Sequence, residues 1–221
     1  MRVVTPTFFL FALLLTACSG TPSSNADPHA GMNHNTTPAV GDSTTDHSKM
    51  DHSKMDHSKM ESSPGANDAP YDLQWIDTMI AHHEGAMAMA APAYKNAKTL
   101  EMTRFAEQMQ RDQQKEIATM KQWRVQRFRN AKPAINMDMP GMSASMKGMD
   151  MAKLEAAKGV DFDLEFIRQM VPHHEGALTM SKDAIAKSEN DDLKKLAREI
   201  IKAQEAEIKQ MREWAAKWSK K

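Results

Sequence analysis

The amino-acid sequence predicts an all-α protein, a four-helix bundle assembled from two duplicated helical hairpins. The first observation is an internal repeat: the offset that carries His82 onto His173 aligns residues 71–123 with residues 162–214 without a gap. The second is that apolar side chains in both halves recur every three or four residues, the period of one face of an α-helix. Such a repeat indicates one duplicated unit, and two helical hairpins most simply close into a four-helix bundle.

Each predicted helix carries one inward-facing stripe. In the second helices the stripes are Met102, Ala106, Met109, Gln113, Glu116, Met120 and Trp123, and Leu193, Ala197, Ile200, Gln204, Glu207, Met211 and Trp214. In the first helices they are Ile76, Met79, His83, Ala86 and Ala90, and Ile167, Met170, His174, Ala177 and Ser181. Polar residues around 96–100 and 188–192 predict the hairpin turns, where Asn190 or Asp192 would cap the following helix.

The chain divides into five predicted segments. Residues 1–17 are an apolar secretory signal that ends at Leu15-Thr16-Ala17-Cys18, which resembles a bacterial lipobox. We expect cleavage before Cys18 and lipidation of this single cysteine; the alternative is an ordinary signal peptide with an incidental cysteine. Residues 18–70 are poor in large aliphatic side chains and predict a disordered tether. The remaining segments are a first hairpin (71–130), a Met-rich crossover (131–160) and a second hairpin (161–221).

The tether concentrates imidazole and thioether groups. Three tandem Asp-His-Ser-Lys-Met repeats supply candidate metal ligands at His47, Met50, His52, Met55, His57 and Met60. These donors suit soft or borderline metals, copper above all, and the chain has 20 Met against 1 Cys. The crossover adds six methionines between Met137 and Met151. We expect a metal-capture loop there rather than core residues; the alternative is a linker that uses Met for weak apolar contacts.

Four further histidines lie in two identical His-His-Glu-Gly-Ala runs, at 82–86 and 173–177. Helical spacing places methionines beside them, and antiparallel pairing brings a glutamate and a methionine from the second helix. The candidate metal ligands are therefore Met79, His82, His83, Met87, Met89, Glu116 and Met120 in one hairpin, and Met170, His173, His174, Met180, Glu207 and Met211 in the other. One His of each pair could instead face solvent or orient its neighbour. The alternative is ordinary packing, with each His bonded to a buried Glu or Gln.

The runs Met79-Ile80-Ala81-His82-His83-Glu84-Gly85-Ala86 and Met170-Val171-Pro172-His173-His174-Glu175-Gly176-Ala177 resemble the signature of domain-of-unknown-function family 305. The pattern Gln-x-x-Glu-Ile-x-x-Met-x-x-Trp, at 113–123 and 204–214, is similar to it as well. The resemblance implies a ferritin-like bundle, export, and binding of Cu(I), with Ag(I) as a mimic, in copper resistance. Many members carry Gln where this chain has Glu84 and Glu175, which leaves room for a harder ion such as Cu(II).

We therefore expect a non-enzymatic copper-binding lipoprotein of the bacterial cell envelope, which faces the periplasm from the outer membrane. Its partners would be metal ions, a periplasmic copper acceptor or efflux protein, and the membrane through the lipid anchor. The formal net charge of +0 speaks against nucleic acid. Three alternatives stay open: a ferritin-like di-metal carboxylate enzyme, although no Glu-x-x-His motif is present; a haem-binding bundle; and a structural interaction lipoprotein without metal.

Overall fold

A computed structural model of the chain describes residues 60–220, and this region is built from helices. After a short 3-10 helix at Ala66–Asp68, the helices are α1 (Tyr71–Ala90), α2 (Ala93–Asn96), α3 (Leu100–Phe128), α4 (Met142–Met146), α5 (Met151–Ala156), α6 (Val160–Lys187) and α7 (Asp191–Trp218). No strand occurs in this region; an isolated bridge joins Ala97 to Gly159. The predicted all-α bundle of two helical hairpins is confirmed, with α1, α3, α6 and α7 as its four long helices.

Side-chain caps fix where the second helix of each hairpin begins. The Thr99 hydroxyl accepts a hydrogen bond from the backbone N–H of Met102, at the start of α3. Asn190 does the same for α7, where its side-chain oxygen accepts from the N–H groups of Asp192 and Leu193. Such caps satisfy backbone donors that have no partner inside the helix. Of the two candidates named from the sequence, Asn190 is the cap.

The predicted inward stripes form the core. Helix α1 packs against α3, α6 packs against α7, and α1 also packs against α6. In α3, Met102, Ala106, Met109, Gln113 and Met120 are buried, while Glu116 and Trp123 are partly buried. The equivalent residues of α7 repeat this pattern: Leu193, Ala197, Ile200, Gln204 and Met211 are buried, and Glu207 and Trp214 are partly buried. The periodicity therefore located the core faces correctly.

Helices α1 and α6 meet in antiparallel fashion about an approximate two-fold axis. The Tyr71 hydroxyl donates to Asp183 Oδ2 over 2.8 Å, and Trp75 Nε1 donates to the Met180 carbonyl over 3.2 Å. Further along the same interface the rings of His82 and His173 lie 3.7 Å apart, centroid to centroid. His82 and His173 are equivalent positions of the repeat. The axis that relates the two hairpins must therefore pass between these two rings.

The crossover corrects the expectation of a methionine-lined capture loop outside the core. Met139, Met142, Met146 and Met149 are buried and belong to the hydrophobic core. Helices α4 and α5 pack against α6, where α4 approaches so closely that a Cβ at Gly176 would overlap Ser145. These methionines are packing residues because the crossover lies on a helix face that would otherwise be uncovered.

The residues just before α1 also belong to the folded region. The backbone N–H of Ser63 donates to the Ile135 carbonyl over 2.8 Å, and the Ser62 hydroxyl accepts from the N–H of Met137. Asn67 accepts from the side-chain amide of Asn136, in the same stretch of crossover. Ordered structure therefore begins before the boundary predicted at residue 70. The rest of the predicted tether, with Cys18 and the signal segment, lies outside the described residues.

Candidate metal sites

Each hairpin holds one histidine against one glutamate from the facing helix. His83 Nε2 lies 2.6 Å from Glu116 Oε2, and His174 Nε2 lies 2.8 Å from Glu207 Oε2. Both imidazoles are fully buried, whereas the glutamate side chains keep 17% and 20% exposure. The antiparallel pairing predicted from the sequence brings these residues together in both halves, at equivalent positions of the repeat.

This contact decides which ring nitrogen faces the core. A carboxylate accepts, so Nε2–H of His83 donates to Glu116, and Nδ1 then carries the free lone pair. The same holds for His174 and Glu207. Within residues 60–220, neither Nδ1 has a hydrogen-bond partner. An imidazole held by a carboxylate on one nitrogen and open on the other is the arrangement that protein metal sites commonly use.

The thioethers predicted beside these histidines are inside the bundle. Met79 and Met170 precede His83 and His174 by one helical turn, and both are fully buried. Met120 and Met211, which follow Glu116 and Glu207 by four residues, are fully buried as well. Each hairpin thus combines two buried sulfur atoms with one oriented imidazole on neighbouring helices.

Three other predicted methionines are less closely tied to the His–Glu contacts. Met89 and Met180 are fully buried in the hydrophobic core, about two helical turns beyond His82 and His173. Met87 is partly exposed, and its carbonyl accepts from Gln110 Nε2. Of the tether ligands, Met60 is partly buried against the core. His47, Met50, His52, Met55 and His57 lie outside the described residues.

Both histidines of each pair are buried, so the expectation that one could face solvent is wrong. His82 and His173 fill the α1–α6 interface, where His82 Nε2 donates to the His173 carbonyl over 3.1 Å. Burial lowers the pKa of His82 well below its ordinary value, and the neighbouring imidazoles of His173, His83 and His174 lower it further. His82 is therefore a neutral ring at physiological pH.

Glu84 and Glu175 point to the second helix of their own hairpin, as parts of ion pairs. Glu84 Oε1 lies 2.9 Å from Lys121 Nζ, and Glu175 pairs with Arg212 at the equivalent position. The carboxylates that the sequence suggested for a harder ion are therefore paired with Lys and Arg side chains. Within residues 60–220, no three or more His, Cys, Asp and Glu side chains form a cluster that could hold a metal. The buried donors near the two His–Glu contacts are thioether and imidazole groups, which are soft or borderline ligands.

Two glutamines join the polar core although the sequence did not mark them as site residues. The side chains of Gln113 and Gln204 are buried, and neither amide has a hydrogen-bond partner among the described residues. Each lies one turn before the glutamate that holds the histidine. A buried amide without a partner is costly, so its presence at equivalent positions of both halves indicates a role shared by the two hairpins. The sequence did contain a sign of these residues, because each glutamine interrupts an otherwise largely apolar stripe.

In the described part of the chain, no helix combines the length and apolar character needed to cross a membrane. The family model for a domain of unknown function, DUF305, matches residues 14–124 and again residues 126–215. No curated protein matches this chain.

Solved structures show similar folds. The structure of CopM in its Cu(I)-bound form is 36% identical with a TM-score of 0.57, covering 68% of this chain and 99% of that one. The structure of CopM in its Cu(II)-bound form is 38% identical, with a TM-score of 0.58, and the match covers 66% of this chain and 97% of that one. A secreted-type DUF305 protein from Streptomyces coelicolor is 26% identical, with a TM-score of 0.59, and the match covers 67% of this chain and 92% of that one. Together with the family model that matches most of its length, these likenesses establish that the chain belongs to the DUF305 family.

Proposed function

We propose that this protein binds monovalent copper, with Ag(I) as a mimic, in one site per hairpin, and that it sequesters or transfers the ion. The observation that carries the proposal is the pair of equivalent His–Glu contacts. Each holds a buried imidazole by Nε2 and leaves Nδ1 without a hydrogen-bond partner, and buried methionines lie one helical turn from the histidine and from the glutamate. We assign Met79, His83 and Met120 to the first site and Met170, His174 and Met211 to the second.

The donor set favours Cu(I) over harder ions. Thioether sulfur is a soft ligand, and its affinity does not depend on pH in the physiological range because it carries no titrating proton. Glu116 and Glu207 act through the histidines that they orient, and one glutamate beside each proposed site matches a monovalent cation. The likeness to CopM, whose structures include Cu(I)-, Cu(II)- and Ag-bound forms, supports copper and silver as the ions.

Outside the bundle, we propose an exported lipoprotein. Cys18 would carry the lipid, and the His/Met repeats between His47 and Met60 would collect ions and pass them to the two hairpin sites. A periplasmic acceptor or efflux protein would receive copper from the bundle. The family resemblance and the sequence motifs support this arrangement, and no catalytic step is part of it.

The direct test is the Cu(I) stoichiometry of the chain that begins at Ser19, measured by competition with a coloured Cu(I) chelator. We expect Met79→Leu with His83→Ala to remove about one tightly bound ion, because a thioether and the oriented imidazole are lost together. Met170→Leu with His174→Ala should remove about one more. Helix content by circular dichroism should stay unchanged.

Met102→Leu is the matched control. Met102 is fully buried in the same helix stripe as Met120, and the repeat has Leu193 at the equivalent position. This variant should keep the full stoichiometry. If the double variants also keep the full stoichiometry, the hairpins are not the binding sites. If a chain without the His/Met repeats binds no ions, the bundle is only a scaffold.

A further inference from the structure

Four buried imidazoles form a continuous row through the bundle. The ring centroids of His83 and His82 are 6.1 Å apart, those of His82 and His173 are 3.7 Å apart, and those of His173 and His174 are 6.4 Å apart. All four side chains are fully buried. The row therefore runs from the His–Glu contact of one hairpin to that of the other without reaching solvent.

The middle of this row is a direct ring-to-ring contact between the hairpins. The planes of the His82 and His173 rings are tilted by 36° and their centroids are 3.7 Å apart. The His82 ring also donates to the backbone carbonyl of His173, the residue next to the site histidine His174. Any shift of one helix at this point must move the other, because packed cores are nearly incompressible.

We propose that the two hairpin sites are coupled, so that an ion bound in one raises the affinity of the other, and that the His82–His173 contact transmits the effect. This inference rests on the proposed function, since it concerns the same two sites. It assigns His82 and His173 to communication between sites, whereas His83 and His174 bind the ions.

The sign of the coupling follows from charge and order. Two cations in one protein core would repel each other, but Glu116 and Glu207 place one negative charge beside each site. A monovalent ion beside one glutamate therefore leaves each site close to neutral, and repulsion between the two sites is small. An ion held by Met79, His83 and Met120 would tie α1 to α3 and, through the His82–His173 contact, would restrain α6 as well. The second ion then meets a site that is already ordered, which is positive cooperativity.

The experiment is an Ag(I) titration of the chain that begins at Ser19, with its methionine methyl groups labelled with ¹³C and observed by NMR. The methyl signals of Met79 and Met120 report the first site, and those of Met170 and Met211 report the second. In the parent protein we expect both sets to change over the same Ag(I) range. When Met79→Leu and Met120→Leu disable the first site, the Ag(I) midpoint of the second should rise about fivefold.

A second background isolates the transmitting contact. In His82→Phe an aromatic ring is kept and the hydrogen bond to the His173 carbonyl is lost. Disabling the first site should then leave the midpoint of the second unchanged. Trp75→Phe is the matched control, because it removes another α1–α6 hydrogen bond away from the row, and the fivefold effect should survive in it.

The outcomes separate the two proposals. A second-site midpoint that does not respond to loss of the first site overturns the coupling and leaves copper binding intact. Coupling that persists in His82→Phe, with the fold confirmed by circular dichroism, overturns the role of the contact. If Ag(I) shifts none of the four hairpin methyl signals, the proposed function itself is wrong.

Discussion

At the scale of single residues, the two histidines of each pair are buried by different neighbours. Glu116 falls opposite His83 because an antiparallel hairpin fixes which turns face each other. His82 points about 100° around the helix from His83, so hairpin geometry alone leaves it at the surface. It is buried because α6 covers that face, and helix periodicity within one hairpin contains no information about this contact.

The role of Glu116 can be tested by removing its charge. Glu116→Gln keeps the shape of the side chain. An amide can either donate or accept a hydrogen bond, so it no longer fixes which nitrogen of His83 carries the proton. We expect the affinity of the first site for Cu(I) to fall roughly 10- to 100-fold, as for other residues that orient metal-binding histidines. The measurement is chelator competition, with Glu107→Gln, an exposed residue of the same helix, as the control. Equal affinities for the two variants would exclude the role.

Glu165 gives a prediction about pH. Hydrogen bonds from Arg168, opposed by burial and joined by Gln169 and Lys153, lower the pKa of Glu165 from 4.5 to about 2. A depressed pKa stabilises the fold above the unfolded value, and the contribution is lost as pH falls from about 4.5 towards 2. Glu165→Gln should therefore lower the free energy of unfolding by about 1–3 kcal/mol at pH 7.

The difference should vanish near pH 2. Urea unfolding at the two pH values measures it, and Glu199→Gln, exposed on α7, serves as the control. A pH-independent difference would mean that shape, rather than charge, stabilises the contact between α5 and α6.

At the scale of elements, the long helices followed from periodicity and the crossover did not. Its methionines are interrupted by Pro140, Gly141 and Gly148, so no regular spacing marks a buried face. Burial there depends on a close approach to α6. Gly141, with φ of 96°, adopts a conformation that suits glycine, and the main chain at Gly141 lies against Gly176. Such a contact between distant segments cannot be read from either segment alone.

Gly176→Ala tests this approach. The added methyl group would overlap Ser145 and the carbonyl of Gly141, so α4 must move away from α6. We expect the free energy of unfolding to fall by about 1–3 kcal/mol, the usual cost of overpacking. Thermal unfolding followed by circular dichroism measures it. Lys182→Ala, exposed on the same helix, should change little, and an equally small effect of Gly176→Ala would show that the crossover is loosely attached.

At the scale of the whole molecule, the internal repeat was the strongest sequence signal, because it predicted the hairpins, their duplication and both His–Glu contacts at once. It did not predict where the folded region begins. The residues before α1 have the composition of a tether, yet Ser63 and Asn67 bond to the crossover. Those partners are some seventy positions away in the sequence, at Ile135 and Asn136, and composition does not register such pairings.

Shortening the chain tests this boundary. A chain that begins at Asp68 lacks the hydrogen bonds of Ser62, Ser63 and Asn67 to the crossover, which a chain that begins at Met60 retains. Because each of these four bonds contributes roughly 0.5–1.5 kcal/mol, the shorter chain should be less stable by about 2–6 kcal/mol. Urea midpoints of the two chains measure the difference. Coincident curves would place the boundary at α1.

The two-fold relation between α1 and α6 has a consequence for the history of the chain. A single hairpin with this sequence pattern would bury His83 against Glu116 but expose His82, and a second copy would cover that histidine by the same self-complementary surface. In the present protein the second hairpin takes the place of that copy. In a single chain the two halves can differ in sequence. Aligned positions of the repeat hold Ala81 and Pro172, Met87 and Leu178, and Lys121 and Arg212. A symmetric dimer of one hairpin has two identical sites, whereas a single chain with two different halves can give each site its own affinity.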